Sequence, residues 1–359
     1  MNNHEQYIKR CLELAAKGLG QVAPNPMVGA VIVCDGKIIG EGYHRKFGEA
    51  HAEVNAIASV KEKGLLKNST LYVSLEPCSH HGKTPPCVDL ILLHNIPYAV
   101  IGCVDTNPLV KGKGIQKLIE GGIDVKTGVL EKECRELNKR FFTFHEQKRP
   151  FIILKWAQTE DGFLDKKRKS GDGERPLQIS NEKARILSHQ WRSEEQAIMV
   201  GTNTALLDDP ELTVRLVKGK NPLRILLDRN LRVPASAHLL DGSTPTLVLN
   251  EKKIQDLPDL EYYLLDFSLG NKFIENIMQV LYRKNIQSVI IEGGAQLFHS
   301  WISNGWWDEA RVIISKEKIG DGIKAPDLNS SLSSEQVIGN NKLRILHNEV
   351  SEKLLNLKN

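Results

Sequence analysis

The sequence predicts an α/β protein of two domains. Its 359 residues exceed what one hydrophobic core usually organises. Short apolar runs alternate with helix-like stretches along the whole chain, the pattern of strands and helices packed in layers. All six cysteines (Cys11, Cys34, Cys78, Cys87, Cys103, Cys134) fall within the first 134 residues, so the two halves carry different chemistry. The polar segment from His145 to Pro150 ends in proline and marks the boundary, giving expected domains 1–146 and 147–359.

Taken in order, Val28–Val33 and Ile38–Tyr43 read as strands joined at Asp35-Gly36, a strong hairpin signal. A helix over His51–Lys63, a strand over Thr70–Leu75 and a helix over Pro86–His94 follow. Next come a strand over Tyr98–Val104, a helix over Gly114–Glu120, and a helix over Glu131–Glu146 from the spacing of Leu137, Phe141 and Phe144. Beyond the boundary the expected elements are a strand at Phe151–Trp156, a helix near Glu182–Arg192, and strands at Ala197–Val200 and Leu223–Asp228. A helix over Lys272–Lys284, a strand over Ser288–Glu292 and a helix from Gln296 complete the list. The charged stretch Asp165–Arg175 reads as a solvated loop rather than a phosphate site.

Composition narrows the function. Hydrophobic residues at 41% and charged residues at 26% are ordinary for a soluble globular protein. A net charge of +4 argues for neither a nucleic-acid stripe nor a membrane patch. No apolar run is long enough to span a bilayer, and the polar start Asn2-Asn3-His4-Glu5 lacks a signal-peptide core. The expected location is the cytoplasm, where clustered cysteines bind metal or lie buried rather than form disulfides.

The most informative residues are His51-Ala52-Glu53, then Pro77-Cys78 and, nine residues on, Cys87. One imidazole and two thiolates make a three-ligand zinc set that leaves a fourth position for water. Zinc lowers the pKa of such a water to about 7. Glu53, two residues past the histidine, suits proton transfer rather than ligation. His51 opens one expected helix and Cys87 lies in the first turn of another, where the helix dipole favours thiolate. His-x-Glu followed by Pro-Cys and a second Cys is the zinc-deaminase signature, although that signature has two residues between its cysteines and this chain has eight. The alternative is a buried cysteine pair beside an ordinary helix start, or a structural zinc completed by His80 or His81.

The longer loop makes the chain recognisable. Ala23-Pro-Asn-Pro-Met-Val-Gly-Ala-Val31, Gly40-Glu-Gly-Tyr-His44, His51-Ala-Glu53, Glu76-Pro-Cys-Ser-His-His-Gly-Lys-Thr-Pro-Pro-Cys87 and Asp105-Thr-Asn-Pro108 together closely resemble the bifunctional riboflavin-biosynthesis deaminase/reductase family. The resemblance implies an α/β fold: an N-terminal cytidine-deaminase-like three-layer α/β/α domain and a C-terminal dihydrofolate-reductase-like α/β domain. It implies one Zn2+ per chain on His51, Cys78 and Cys87, with Glu53 catalytic. Asn25, His44, His80, Lys83, Asp105 and Asn107 would line the pocket for a phosphorylated ribosylaminopyrimidine.

In the second half the residues alone offer one feature, the apolar strand Val289–Ile291 running into Glu292-Gly293-Gly294 and a helix. Such a turn suits a phosphate but is more often an ordinary tight turn, and it lacks the GxGxxG fingerprint. The resemblance continues through Trp191-Arg-Ser193, Gly201-Thr-Asn-Thr204, Leu207-Asp-Asp-Pro-Glu-Leu-Thr-Val-Arg215, Leu227-Asp-Arg229 and Glu292-Gly-Gly294. It implies an NADPH-using reductase. Ala157, Thr204, Asp208, Arg229 and the run Gly294, Ala295, Gln296, Leu297, Phe298, His299, Ser300 would touch the cofactor. Lys155, Arg192, Leu212, Arg215 and Glu292 would face the substrate. Where the family commonly has Trp-Ile-Thr this chain has Gln178-Ile-Ser180, which leaves a cofactor contact at Gln178 open.

The resulting expectation is two consecutive steps of riboflavin synthesis on one homo-oligomeric chain whose partner is a small phosphorylated pyrimidine, not nucleic acid or membrane. The competing readings are a deaminase of tRNA or free cytidine, and a zinc deaminase of another nucleoside or nucleotide whose second half binds nucleotide without turnover.

Overall fold

The computed structural model describes residues 3–80, 85–107, 110–169, 173–328 and 330–348. The chain forms two compact units, residues 1–148 and 149–359.

The first unit contains helix α1 (Asn3–Ala16), strands β1 (Gly29–Cys34) and β2 (Lys37–Tyr43), helix α2 (Ala52–Ser59), strand β3 (Thr70–Leu75) and helix α3 (Cys87–Leu93). Strand β4 (Tyr98–Cys103), helix α4 (Lys113–Glu120), strand β5 (Asp124–Thr127) and helices α5 (Glu131–Leu137) and α6 (Lys139–Gln147) follow. The sheet order is β2-β1-β3-β4-β5. β1 pairs antiparallel with β2 and β3, whereas β3, β4 and β5 run parallel. At the hairpin tip Asp35 has φ 48° and Gly36 φ 73°, the doubly left-handed turn that matches the twist of paired strands.

β1 is buried along its full length, as its uninterrupted apolar run requires when both faces are covered. One face meets α2, α3 and α4 through Ile32, Leu71, Val73 and Ile101 against Ala56, Val88, Ile91 and Leu118. On the other face α1 packs on β1 and β3, and α5 on β4. The unit is thus a three-layer α/β/α sandwich.

Three expectations change here. The helix from His51 stops at Ser59, where the Lys63 ammonium donates to the carbonyls of Ala58 (3.0 Å) and Val60 (2.8 Å) and closes its end. The single helix over Glu131–Glu146 is two, broken at Asn138. The buried Asn138 amide accepts from Met27 N (2.8 Å) and donates to Met27 O (2.9 Å), so its side chain serves another segment's backbone. Finally, α1 was not foreseen, although Ile8, Cys11 and Ala15 are buried at helical spacing.

The second unit contains β6 (Phe151–Gln158), β7 (Phe163–Asp165), α7 (Glu182–Glu194), β8 (Ala197–Gly201), α8 (Thr202–Asp208) and β9 (Leu223–Leu227). β10 (Thr246–Asn250), β11 (Leu260–Leu264), α9 (Phe273–Arg283), β12 (Ser288–Gly293) and α10 (Ala295–Ser303) follow, then β13 (Glu309–Ile314), β14 (Ile323–Lys324), β15 (Ser331–Ile338) and β16 (Asn341–His347). The main sheet has the order β11-β10-β9-β8-β12-β6-β13-β16-β15. It is parallel from β11 to β13 and antiparallel at β16 and β15. α9 and α10 cover one face through Ile277, Leu281, Phe298 and Trp301. Ala184 and Trp191 of α7 and Ala205 of α8 cover the other. The order places the C-terminal ends of β8, β9 and β12 side by side, the edge where parallel α/β sheets bind ligands.

Candidate functional site

In the first unit the backbone delivers three ligands to one point. His51 is the N-cap of α2, Cys78 follows β3 after Glu76-Pro77, and Cys87 opens α3. His51 Nδ1 lies 3.5 Å from Cys78 Sγ and 3.4 Å from Cys87 Sγ, and all three ligand atoms are within 4.8 Å of one another. Tetrahedral zinc bonds of about 2.05 Å to nitrogen and 2.3 Å to sulfur require a nitrogen–sulfur separation of about 3.5 Å. The donor set therefore fits the ion in type and spacing.

The electrostatics separate the two thiols, and the thiolate the helix dipole was expected to favour at Cys87 is favoured at Cys78 instead. The Cys78 thiol is lowered to about 4, first by the hydrogen bond from Cys87 and then by His51, and Cys87 N–H also donates to Cys78 Sγ (3.4 Å). Cys87, held against that sulfur, is pushed up. Glu53, in the first turn of α2 and 3% exposed, is raised to about 7 by burial and then by the charge on Cys78. A carboxyl titrating there can both take and give a proton near neutrality.

Other expected residues gather around the cluster. The buried His44 ring stacks edge-on to His51 at 5.3 Å between centroids. Its Nδ1 is 3.2 Å from Ala50 O and its Nε2 3.2 Å from Asn25 Nδ2, which places the ring proton on Nδ1 and makes Nε2 the acceptor. Asp105 is buried and raised to about 7, chiefly by burial, while accepting from Asn107 N at 2.7 Å. His80 is exposed, and Lys83 lies outside the described residues.

The residue that sequence reasoning missed is Glu76. Its buried carboxylate accepts from four backbone N–H groups: Gly114 (2.9 Å) and Ile115 (3.3 Å) at Oε1, Asp105 (3.1 Å) and Gly112 (3.0 Å) at Oε2. It ties the Asp105 loop and the start of α4 to the strand end that carries Cys78. The signal was present, since Glu76 precedes Pro-Cys, but its partners are distant in sequence.

In the second unit Glu292, at the end of β12, receives Arg192 of α7 through Nε (3.0 Å) and a terminal nitrogen (2.7 Å). Lys155 of β6 stands 3.7 Å from the same carboxylate. Glu292 is lowered to about 2 by Arg192 and Lys155 against the opposing effect of burial. Leu212 is buried in the left-handed region (φ 56°), a strained conformation for a branched residue, and Arg215 is exposed and paired with Glu211.

Around the neighbouring strand ends, Gly293 and Gly294 meet Thr204 so closely that a Cβ would stand 2.8 and 3.1 Å from its side chain. Gly294 also has φ 64°. This bare-backbone turn leads directly into α10. Ala157 is on β6 and partly buried. Asp208 binds Arg168 (2.5 Å) and Asp321 binds Lys167 (2.8 Å), so the charged loop is held at both residues, while Lys166 and Lys169 are exposed. Arg229 pairs with Glu251 (2.8 Å) beside Phe267. In the run Gly294–Ser300 the geometry divides: Gln296 and His299 are exposed, whereas the Leu297 and Phe298 side chains are buried in the core. Those two positions offer a ligand only backbone. Gln178 is exposed and bonds Ser180 O.

Comparison with known proteins agrees with this geometry. Residues 1–103 match the cytidine and deoxycytidylate deaminase zinc-binding region, and residues 150–350 match the RibD C-terminal domain. The chain thus unites a zinc-binding deaminase with a reductase that uses NADPH. It is 42% identical to the riboflavin biosynthesis protein RibD of Aquifex aeolicus, over 90% of both chains, and 35% identical to that of Escherichia coli, over 88% of both. A crystal structure of a diaminohydroxyphosphoribosylaminopyrimidine deaminase/5-amino-6-(5-phosphoribosylamino)uracil reductase from Thermotoga maritima superposes with a TM-score of 0.86 at 37% identity, covering 96% of this chain and 99% of that one. The chain belongs to the RibD family of bifunctional riboflavin-biosynthesis enzymes, carrying both deaminase and reductase domains.

Proposed function

We propose that residues 1–146 deaminate 2,5-diamino-6-(5-phosphoribosylamino)pyrimidin-4-one to 5-amino-6-(5-phosphoribosylamino)uracil, and that residues 147–359 reduce the ribosyl side chain of that product to ribityl with NADPH. The observation that carries the reading is the convergence of His51, Cys78 and Cys87 beside the buried Glu53.

When bound, zinc supplies Lewis-acid activation of water. His51, Cys78 and Cys87 hold the ion. Glu53 takes a proton at its carboxylate and returns it to the departing amine, as a group titrating near 7 can. Asn25, His44, His80, Lys83, Asp105 and Asn107 bind and orient the pyrimidine and its sugar phosphate.

In the reductase, NADPH when bound supplies hydride. Thr204, Arg229 and the Gly294–Ser300 run hold it, with Ala157 and Asp208 beside them. Lys155, Arg192, Leu212, Arg215 and Glu292 receive the substrate. The Arg192–Glu292 pair is preformed, so part of the ordering cost of that site is met before substrate arrives.

The modest net charge of +4 supports a small-molecule substrate rather than nucleic acid, and no helix among the described residues is long and apolar enough to cross a membrane. The same reading has the chain acting in the cytoplasm as a homo-oligomer.

The test uses Glu53→Gln. This variant should retain zinc and lose roughly 100- to 10,000-fold in deamination. Supplied with 5-amino-6-(5-phosphoribosylamino)uracil, it should still oxidise NADPH at the wild-type rate. Near-normal deamination would remove Glu53 from proton transfer. Absence of NADPH turnover in both wild type and variant would favour a nucleotide-binding module without turnover.

A further inference from the structure

His189 has no part in the reading above, yet it lies within the charged cluster of the reductase unit. It is on α7 one turn before Arg192, so both side chains occupy one helix face. From that face two bonds reach the loop after α8. Arg215 N–H donates to His189 Nδ1 at 3.0 Å, and an Arg192 terminal nitrogen donates to Thr213 O at 3.3 Å. The loop they grip is strained, with Asp209 at φ 39° and the buried Leu212 at φ 56°. Without tethers a segment holding two non-glycine residues in this region would relax.

We infer that His189 is a positioning residue: its Nδ1, fixed as an acceptor, holds the Arg215 backbone and thereby the presentation of Leu212 and Arg215 to the reductase substrate. This rests on the reading that those two residues face that substrate. Because a backbone N–H can only donate, the imidazole proton is on Nε2. The groups facing the ring keep it neutral: it is lowered to about 4, first by burial and then by Arg192 and Arg215, with Lys155 adding and Glu292 opposing. Protonation would replace the acceptor with a second donor and release the loop.

The two ring nitrogens can be separated by substitution, since an Asn side chain places its oxygen near Nδ1 and a Gln side chain near Nε2. With the full-length protein, NADPH oxidation is followed against 5-amino-6-(5-phosphoribosylamino)uracil. His189→Ala should raise the KM for this compound roughly 2- to 13-fold, the range of one neutral hydrogen bond. The NADPH KM and the deamination rate should stay at wild type, which also shows that the variant folds. His189→Asn should restore most of the loss, and His189→Gln should not. Arg215→Ala should raise the same KM.

A normal KM in His189→Ala with a raised KM in Arg215→Ala would overturn the role of His189 alone. A normal KM in Arg215→Ala would overturn the inference together with the reading beneath it. Rescue by Gln instead of Asn, or equal losses for substrate and NADPH, would also overturn it.

Discussion

Replacing Glu76 by Gln changes one atom type and hardly any volume, yet the structure makes it costly. Each carboxylate oxygen accepts two backbone N–H groups, Gly114 and Ile115 on one side and Asp105 and Gly112 on the other. Whichever way the amide turns, its NH2 faces two donors that no longer have an acceptor. Hydrogen bonds to a charged group are worth about 1.5–3 kcal/mol each, so two lost bonds cost about 3–6 kcal/mol before relaxation and about 3–5 kcal/mol after the loops adjust. For a unit of this size each kcal/mol moves the melting temperature by about 2–4 °C, which gives a fall of roughly 6–20 °C. Calorimetry of the full-length variant would measure that fall. The freed loop carries Asp105 and Asn107, so the deaminase KM should rise, while zinc stays because no ligand is lost. A variant melting within about 2 °C of wild type with an unchanged KM would refute the argument that this carboxylate holds the loop.

Three further outcomes follow from the geometry. The purified protein should hold about one zinc per chain, and Cys87→Ser should release it and abolish deamination; metal analysis without zinc, or deamination surviving thorough chelation, would contradict the three-ligand site. Arg229→Ala should raise the NADPH KM by about 10-fold, the low end for a charged hydrogen bond, because Arg229 must first leave Glu251, while the NADH KM should change little; no change for either cofactor would remove Arg229 from the site. His189 and His145 are both lowered to about 4 by burial and nearby cations, so between about 4 and the ordinary 6.5 the unfolded chain binds more protons than the folded one. Their contribution is complete above about 6.5 and disappears as pH falls towards 4, while Glu53 and Asp105, raised to about 7, contribute in the opposite sense over the same range. The histidines are therefore read individually, and NMR titration should show each ring neutral well below 6.5. A ring of His189 or His145 that titrates near 6.5 in the folded protein would contradict its assignment.

The local chemistry was legible in the chain. His51-Ala-Glu53 and Pro77-Cys78 through Cys87 identified the donor types, and the helix starts at Ala52 and Cys87 fell within a residue of the expected positions because capping and proline signals are local. The strands Thr70–Leu75 and Tyr98–Cys103 were readable for the same reason: a buried parallel strand is written as a continuous apolar run. The weakest reading was the tail of the second unit. β15 is exposed nearly throughout, so no alternation marks it, and only its pairing with β16 makes it a strand.

What the sequence by itself determined is which groups are available and which helix or strand end carries them. Tertiary structure alone decided which of them meet. Asn138 breaks a helix that its neighbours favour because Met27, 111 residues away, offers its backbone. Leu297 and Phe298 belong by position to the run expected to face the cofactor, but core packing turns their side chains inward. Glu76 gathers N–H groups from 29 to 39 residues downstream, and Arg192 finds Glu292 across 100 residues. Such contacts leave no periodic trace, because they depend on the order of strands in a sheet rather than on spacing along the chain. Glu53 shows the division in a single residue: the motif names it as a proton carrier, but burial beside Cys78 is what brings its titration to about 7.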